Sequence, residues 1–399
     1  MKRKNLSPSI PSSGTPTNLL AAIYELLAEP NVSVTDTAKK YGVRRWTLHR
    51  ELTEWFSYGP RYVLRSGIPE EQIAEAQAAY LGLNLPALIR NPVLRLPSVP
   101  TRIRVVHIDR QNGPPTRSYL QRFAEVASPY VHDLLAGTDD LAVAWGLTNA
   151  CIVDALVTLW RHVGVAGQPS ELLSPRFRVV PACAEPPGAP SVDLSASSIA
   201  WQLHHFLNPE DSSWKSLIAF PAVLPPEERH LLDVMKKMPG YREIFGGDKP
   251  LIGQVNALLT SVSTDNRPWH FYGSHEILEV AKLDTDRLRQ MAIGDIAGVL
   301  LANPGHENEV AKLMTSWTGI RHQELERLSR IGQKQQGPGI VVVAAGANKA
   351  ACLERVLSLA NALVIDDHLA KALAARLNQR ILEKANMAFR NSPPSEAQT

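Results

Sequence analysis

The sequence predicts an α/β protein: a small all-helical N-terminal domain, then a larger domain built on a mainly parallel sheet covered by helices. Three observations carry this. Residues 34–56 have the apolar spacing of two short helices joined by a tight turn. From Arg102 onward, short β-branched runs alternate with amphipathic stretches of helical length, the pattern of a parallel sheet with helices on both faces. Between them, residues 82–100 hold four prolines in 19 positions, a density that forbids continuous helix and reads as a linker of extended shape.

Taken in order, residues 1–16 are rich in Ser, Pro and Lys and are expected to be disordered. A helix over Thr17–Glu29 puts Leu19, Leu20, Ile23, Leu26 and Leu27 on one face. In the next helix Thr35 is placed to cap, and Ala38 is small enough for a second helix to cross closely. Gly42 sits where the chain must turn and Val43 plugs the junction. A further helix starts near Arg44 and buries Leu48, Leu52 and Trp55 at i, i+4 and i+7. This domain is expected to span 17–66, with SYGPRYVLRSG after Phe56 a turn and a short extended piece. Ile68–Leu81 reads as helix, and 67–100 as helix plus proline-rich linker.

The second domain is expected over 101–390. IRVVHI, LAVAW (141–145), FRVVPA (177–182), SLIAFPA (216–222) and NALLTSVS (256–263) read as strands, with helices at Ser118–Leu135 and Thr148–His162. GIVVVAAG (339–346), helix Lys349–Leu359, ALVIDD (362–367) and helix His368–Ala385 complete it. The tail 391–399 is again polar and is expected to be disordered.

A chain of 399 residues can bury two or three cores, and 44% hydrophobic with 20% charged residues is an ordinary soluble composition. Net charge is only +3, but residues 1–65 hold ten Lys/Arg against five Asp/Glu. A basic head on a near-neutral body points to a polyanion bound at one end. Cys151, Cys183 and Cys352 form no CxxC pair, which argues against a zinc site or a disulfide framework and fits a reducing cytoplasm. No run reaches the ~18 apolar residues of a membrane span, so the protein is expected to be soluble and cytoplasmic.

The outward face of the third helix carries Arg45, Trp46, His49, Arg50 and Thr53, a set suited to the major groove of DNA, where arginine grips guanine through two bonds. Arg45, Trp46, Thr47, His49 and Arg50 are candidates for bases or backbone, and Lys39, Lys40 and Arg44 for phosphates. An ordinary helical hairpin with a solvated basic face has the same spacing.

In the second domain three loops carry candidate residues. Gly146, Thr148 and Asn149 stand where a strand hands over to a helix, so a hydroxyl, an amide and the helix N-terminus face one anion; plain helix capping uses the same geometry. Asp295, between Gly294 and Gly298, has the chemistry to accept sugar hydroxyls, although Gly-Asp is also commonplace in turns. Lys349 lies at the mouth of a strand-loop-helix unit, a site for neutralising a phosphate as well as for a solvated lysine. His204 and His205 follow Trp201 on a helix face, and His270 and His275 lie in a loop with Trp269, Phe271 and Tyr272. None has partners at metal-ligand spacing, so no metal and no cofactor is expected.

The helical hairpin resembles the helix-turn-helix of the SorC family of bacterial sugar-responsive transcription regulators, with Ala38, Gly42, Val43, Thr47, Leu48, Arg50 and Leu52 in the family's places. AWGLTNA (144–150), MAIGDIAGVLL (291–301), VVVAAGANKAACLERVL (341–357) and LVIDDHLAKAL (363–373) look like four motifs of that family in its order, and WTGIRHQELERL (317–328) like the helix before the last unit. The resemblance implies an effector domain of the sugar-phosphate isomerase/CoA-transferase type. It further implies a double-stranded DNA operator, a sugar or sugar-phosphate effector bound through Gly146, Thr148, Asn149, Asp295 and Lys349, and a homotetramer (a dimer of dimers). Three departures stand out: PACAEPPGAP where the family has Arg-Gly-Gly, Ala345-Gly346 where it has Gly-Gly, and Leu147 beside the threonine. They weaken the anion grip and leave room for a less usual or non-phosphorylated sugar. The rival reading is an isomerase- or transferase-class enzyme with a basic accessory domain. It needs a proton-abstracting base set against a second group, and no compelling pair is visible.

Overall fold

The computed structural model describes residues 16–28, 32–58, 81–108, 115–135, 138–162, 177–185, 192–211, 214–218, 220–264 and 276–390. The chain divides into two compact units between Leu85 and Pro86. The expected tails 1–15 and 391–399, most of the Ile68–Leu81 helix and the aromatic loop at 269–272 lie outside the described residues.

The first unit contains helices α1 (Pro16–Ala28), α2 (Val34–Lys40) and α3 (Arg45–Tyr58). Ala22, Ile23, Ala38 and Leu48 are buried together, with Leu19, Leu26, Val34, Tyr41 and Val43 packed against them. The small Ala38 and the plug at Val43 therefore do what their sizes imply. The cap of α2 is Ser33 rather than Thr35: its Oγ accepts the Asp36 N–H at 3.0 Å. The turn closes with Gly42 at φ +64, Gly42 N–H donating to Lys39 O (3.3 Å) and Val43 N–H to Ala38 O (2.9 Å). That is a Schellman motif, which satisfies the last carbonyls of α2 and redirects the chain into α3. The side chains of Leu52 and Trp55 lie outside the described residues.

At the boundary stands α4 (Leu85–Ile89). Next come β1 (Arg102–Val106), α5 (Arg117–Leu134), β2 (Asp140–Val143), α6 (Leu147–His162), β3 (Arg178–Pro181) and α7 (Ala196–Leu207). Then follow α8 (Leu231–Met235), α9 (Tyr241–Phe245), β4 (Ala257–Thr260), α10 (Glu276–Val280), α11 (Thr285–Met291), β5 (Ala292–Ile296) and β6 (Val299–Ala302). The chain ends with α12 (Glu307–Met314), α13 (His322–Gln333), β7 (Gly339–Ala344), α14 (Ala350–Val356), β8 (Ala362–Asp366) and α15 (Asp367–Arg390).

Six strands form one parallel sheet in the order β1-β8-β7-β4-β2-β3. β4, β7 and β8 are buried along their whole length, as strands covered on both faces must be. From β2 the chain passes to β3 on one side, and from β4 the next strand of the sheet is β7 on the other. Connections that diverge in this way open a crevice at the carboxyl ends of β2 and β4.

Two expectations are corrected. SLIAFPA forms no strand; Pro221 and Val223 make only isolated bridges, to Glu185 and Trp317. Pro221 has no N–H to give a ladder, and Leu217 and Phe220 pack instead in a side cluster with Tyr241 and Ile244. MAIGDIAGVLL, in contrast, is an antiparallel hairpin, β5–β6, turned by Ala297 (φ 51) and Gly298 (φ 81). Two consecutive positive φ values make the two-residue turn that matches strand twist.

The proline-rich stretch is not extended either. Pro92–Leu94 makes a 3-10 turn capped by Asn91, whose Oδ1 accepts Val93 N–H. Ile89 and Leu94 are buried, and Lys384 of α15 donates to the carbonyls of Val93 (3.3 Å) and Leu94 (3.1 Å). This segment belongs to the second unit, because its apolar residues have a helix to pack on.

Candidate functional site

In the first unit, Lys39, Lys40, Arg44, Arg45, Trp46 and His49 are exposed, while Thr47 and Arg50 are half-buried. Two of these cations are already engaged. Lys40 Nζ pairs with Glu25 at 2.6 Å, tying α2 to α1. Arg50 donates through Nε (3.2 Å) and Nη2 (2.6 Å) to Glu51 Oε1, and its guanidinium lies 5.0 Å from the centroid of the Trp46 ring. Lys39, Arg44 and Arg45 are exposed as well.

In the second unit, the loops after β2, β4 and β7 meet at the crevice. Lys349, in the 3-10 turn Ala347–Lys349, donates from Nζ to Thr148 Oγ1 at 3.3 Å and to Ser261 Oγ at 2.9 Å. An ammonium thus bridges hydroxyls at two other strand ends. Burial pushes the Lys349 amine down to about 8, against the opposing pull of Cys352, Asp366 and Asp295. Near neutrality the group is mostly charged, and the hydrogen bonds named here go to neutral hydroxyls, a setting that suits an anion.

Asp295 is buried in β5 and lies within electrostatic reach of that ammonium. The hairpin is pinned over the end of β4: Asp295 N–H donates to Ser263 Oγ (2.8 Å), and Ser263 N–H to Asp295 O (3.1 Å). Its carboxylate also accepts the Gly298 N–H at 3.3 Å, so part of its acceptor capacity serves the hairpin turn. Gly298 rests directly on the indole of the buried Trp317, leaving no room for a Cβ.

The remaining expected residues frame the site. Gly146 N–H donates to Leu194 O at 2.9 Å, fixing the β2–α6 loop. Asn149 turns inward: Nδ2 donates to Ala144 O (3.1 Å) and Trp145 O (2.9 Å), and its side chain is fully buried. Its amide braces the loop that presents Thr148.

Ser261 and Ser263 escaped the sequence reading, and Asp366 stood in it only as a carboxylate at the end of the ALVIDD strand. A run of small hydroxyl residues directly after the NALLT strand was the available signal for the first two. Asp366, at the end of β8, accepts Tyr119 Oη–H (2.6 Å), Gly346 N–H (3.0 Å) and Leu369 N–H (2.9 Å). Burial pushes its carboxyl up, while those three donors pull it down. Because Lys349 N–H in turn bonds to Gly346 O (3.1 Å), Asp366 positions the turn that carries the lysine.

No protein-family model and no curated protein matches the chain. Among solved structures, a transcriptional regulator from Streptococcus pneumoniae TIGR4 is similar at a TM-score of 0.52 and 16% identity, over 73% of this chain and 98% of that one. A domain of a possible sugar-binding transcriptional regulator from Arthrobacter aurescens TC1 is similar at a TM-score of 0.50 and 18% identity, over 73% and 97%. The full-length sorbitol operon regulator SorC from Klebsiella pneumoniae is similar at a TM-score of 0.49 and 18% identity, over 90% and 100%. At such identities the first two likenesses establish the fold alone: an α/β domain of the kind found in those two proteins.

Proposed function

We propose that this chain is a DNA-binding transcription regulator of the SorC type, whose second unit takes a sugar or phosphorylated sugar and thereby alters operator binding. The observation that carries the reading is the convergence of Thr148 and Ser261 on Lys349 at the diverging strand ends, in a chain that begins with a helix-turn-helix unit. The ammonium supplies the counter-charge for an anionic group, the two hydroxyls supply neutral partners, and Asp295 stands beside them for ligand hydroxyls. The printed description of the Arthrobacter neighbour, a possible sugar-binding regulator, points the same way.

On this reading Lys39, Arg44 and Arg45 meet phosphates, with Trp46, Thr47, His49 and Arg50 toward the groove. Lys40 serves the head's own packing. An operator with two-fold symmetry and a homotetramer acting inside the cell complete the proposal. Among the described residues no helix is long and apolar enough to cross a membrane. A regulatory rather than catalytic role is supported by Asp366, a strand-end carboxylate that serves three donors of the fold.

Effector binding acts on DNA affinity only through a difference in affinity for two arrangements of the protein. The test is a thermal-shift screen of the purified chain against pentose and hexose phosphates, free sugars and sugar alcohols. Stabilisation by one of them, lost in Lys349→Ala and Thr148→Val, is the expected result. Turnover of such a compound by the purified chain would replace this proposal with the enzyme reading.

A further inference from the structure

We propose that Trp46 is the base-reading residue of the head and that it reads thymine, through the C5-methyl group, in the major groove of a duplex. This rests on the DNA-binding reading above and adds the chemical feature recognised. Trp46 is 69% exposed, more than any other large hydrophobic residue among those described. It is the second residue of α3. It precedes Leu48 by two positions, which is about 200° around a helix. Leu48 is buried in the head's own core against Ala22, Ile23 and Ala38, so the indole points away from that core.

Its neighbours hold it ready. Trp46 and Arg50 are four residues apart, on one face and one turn from each other. The Arg50 guanidinium lies 5.0 Å from the ring centroid and is itself fastened to Glu51, whose side chain is buried. The arginine that looked from the sequence like a guanine reader is therefore committed to bracing the indole. A ring stacked on a fastened cation has lost most of its freedom before any partner arrives, which lowers the entropy cost of contact.

Charge decides the kind of partner. Lys39, Arg44 and Arg45 are exposed in the same short two-helix stretch, so a second copy of it would bring like charges together, whereas a polyanion is drawn in. The N-terminal residues of a helix docked in the major groove are the ones that reach base edges. On those edges the thymine methyl is the apolar group, and apolar side chains contact it.

The experiment starts with selection of duplexes from a randomised library by the full-length protein. Each thymine of the selected duplex is then replaced in turn by uracil, which removes only the methyl. The native protein is expected to lose about fourfold in affinity at one thymine per half-site, the equivalent of one buried methyl at about 0.8 kcal/mol. Trp46→Ala should bind the thymine duplex at least about tenfold more weakly and be indifferent to uracil at that position. Trp46→Phe should retain part of both effects. Equal sensitivity of native protein and Trp46→Ala to uracil overturns the proposal, as does a Trp46→Ala variant that changes only the oligomer mass. Enrichment of a duplex whose uracil forms all bind normally removes the proposal and leaves the DNA-binding reading standing. Failure to enrich any duplex removes both.

Discussion

Replacing Lys349 by Met should make the empty protein more stable at pH 7 while removing its grip on an anion. Burial lowers the amine from its ordinary 10.5 to about 8. That difference corresponds to about 3 kcal/mol of unfavourable free energy for the charged form in the fold. Met is unbranched, of similar length and uncharged, so it removes this cost. Against it stands the loss of two hydrogen bonds, to Thr148 and Ser261, at about 1 kcal/mol each. The net expectation is a gain of about 1–2 kcal/mol at pH 7. The pH dependence gives an internal control. Because the folded amine titrates below the unfolded one, the destabilisation is fully present below pH 8, shrinks as pH rises, and is gone above 10.5. The native protein therefore gains about 3 kcal/mol across that window relative to Lys349→Met, and the order of stability inverts inside it, between about pH 9 and 10. Urea unfolding of both proteins at several pH values, compared as a difference, reads this out. A variant less stable at pH 7 by an amount that does not change with pH would refute the reasoning.

Three other outcomes follow from the packing. Gly298→Ala should unfold the β5–β6 hairpin or the whole domain, at a cost above about 4 kcal/mol, because the new Cβ would overlap the ring of the fully buried Trp317; solubility and melting temperature report it. A fragment covering 84–399 should melt well above one covering 98–399, since the shorter piece gives up the burial of Ile89 and Leu94, together about 3–6 kcal/mol, as well as the two carbonyls held by Lys384. Arg44→Ala and Arg45→Ala should each reduce the salt slope of DNA binding by about one unit, while Lys40→Ala should lower the melting temperature of the head and leave that slope unchanged, because Lys40 is spent on Glu25.

Much of the sheet was legible because buried parallel strands announce themselves as short β-branched runs, as GIVVVAAG and ALVIDD do. The head was legible for a similar reason: Ala38, Gly42 and Val43 leave the chain few ways to turn. SLIAFPA misled because an apolar run looks alike whether it joins a sheet or a side cluster, and only Pro221 argued against a ladder. The β5–β6 hairpin was missed since its turn uses Ala297-Gly298 rather than a strongly marked pair such as Asn-Gly. At the proposed site, Thr148 and Lys349, picked from separate strand-to-helix loops, do touch. Whether the Asn149 side chain would turn to solvent or to its own loop was not legible, because sequence spacing does not distinguish the two; its amide donates to the loop carbonyls of Ala144 and Trp145. Ser261 and Asp366 act through partners almost 90 and 250 residues away, Lys349 and Tyr119, which no local pattern reveals. The pairings Lys40–Glu25 and Arg50–Glu51 escaped although they are close in the chain: charge can be counted in a sequence, but its engagement cannot.

The central claim is that the Lys349 site controls DNA binding, and one titration tests it most directly. A fluorescent duplex chosen by library selection is held near half-saturation with full-length protein, and its anisotropy is followed as each sugar, sugar alcohol and sugar phosphate is added. At least one compound should shift the binding curve by about 5–150-fold, the span of ordinary allosteric coupling, and the shift should vanish in Thr148→Val and Lys349→Ala while their binding of DNA alone stays native. A compound that shifts the native protein and both variants alike would contradict the account, because the controlling site would then lie elsewhere in the chain.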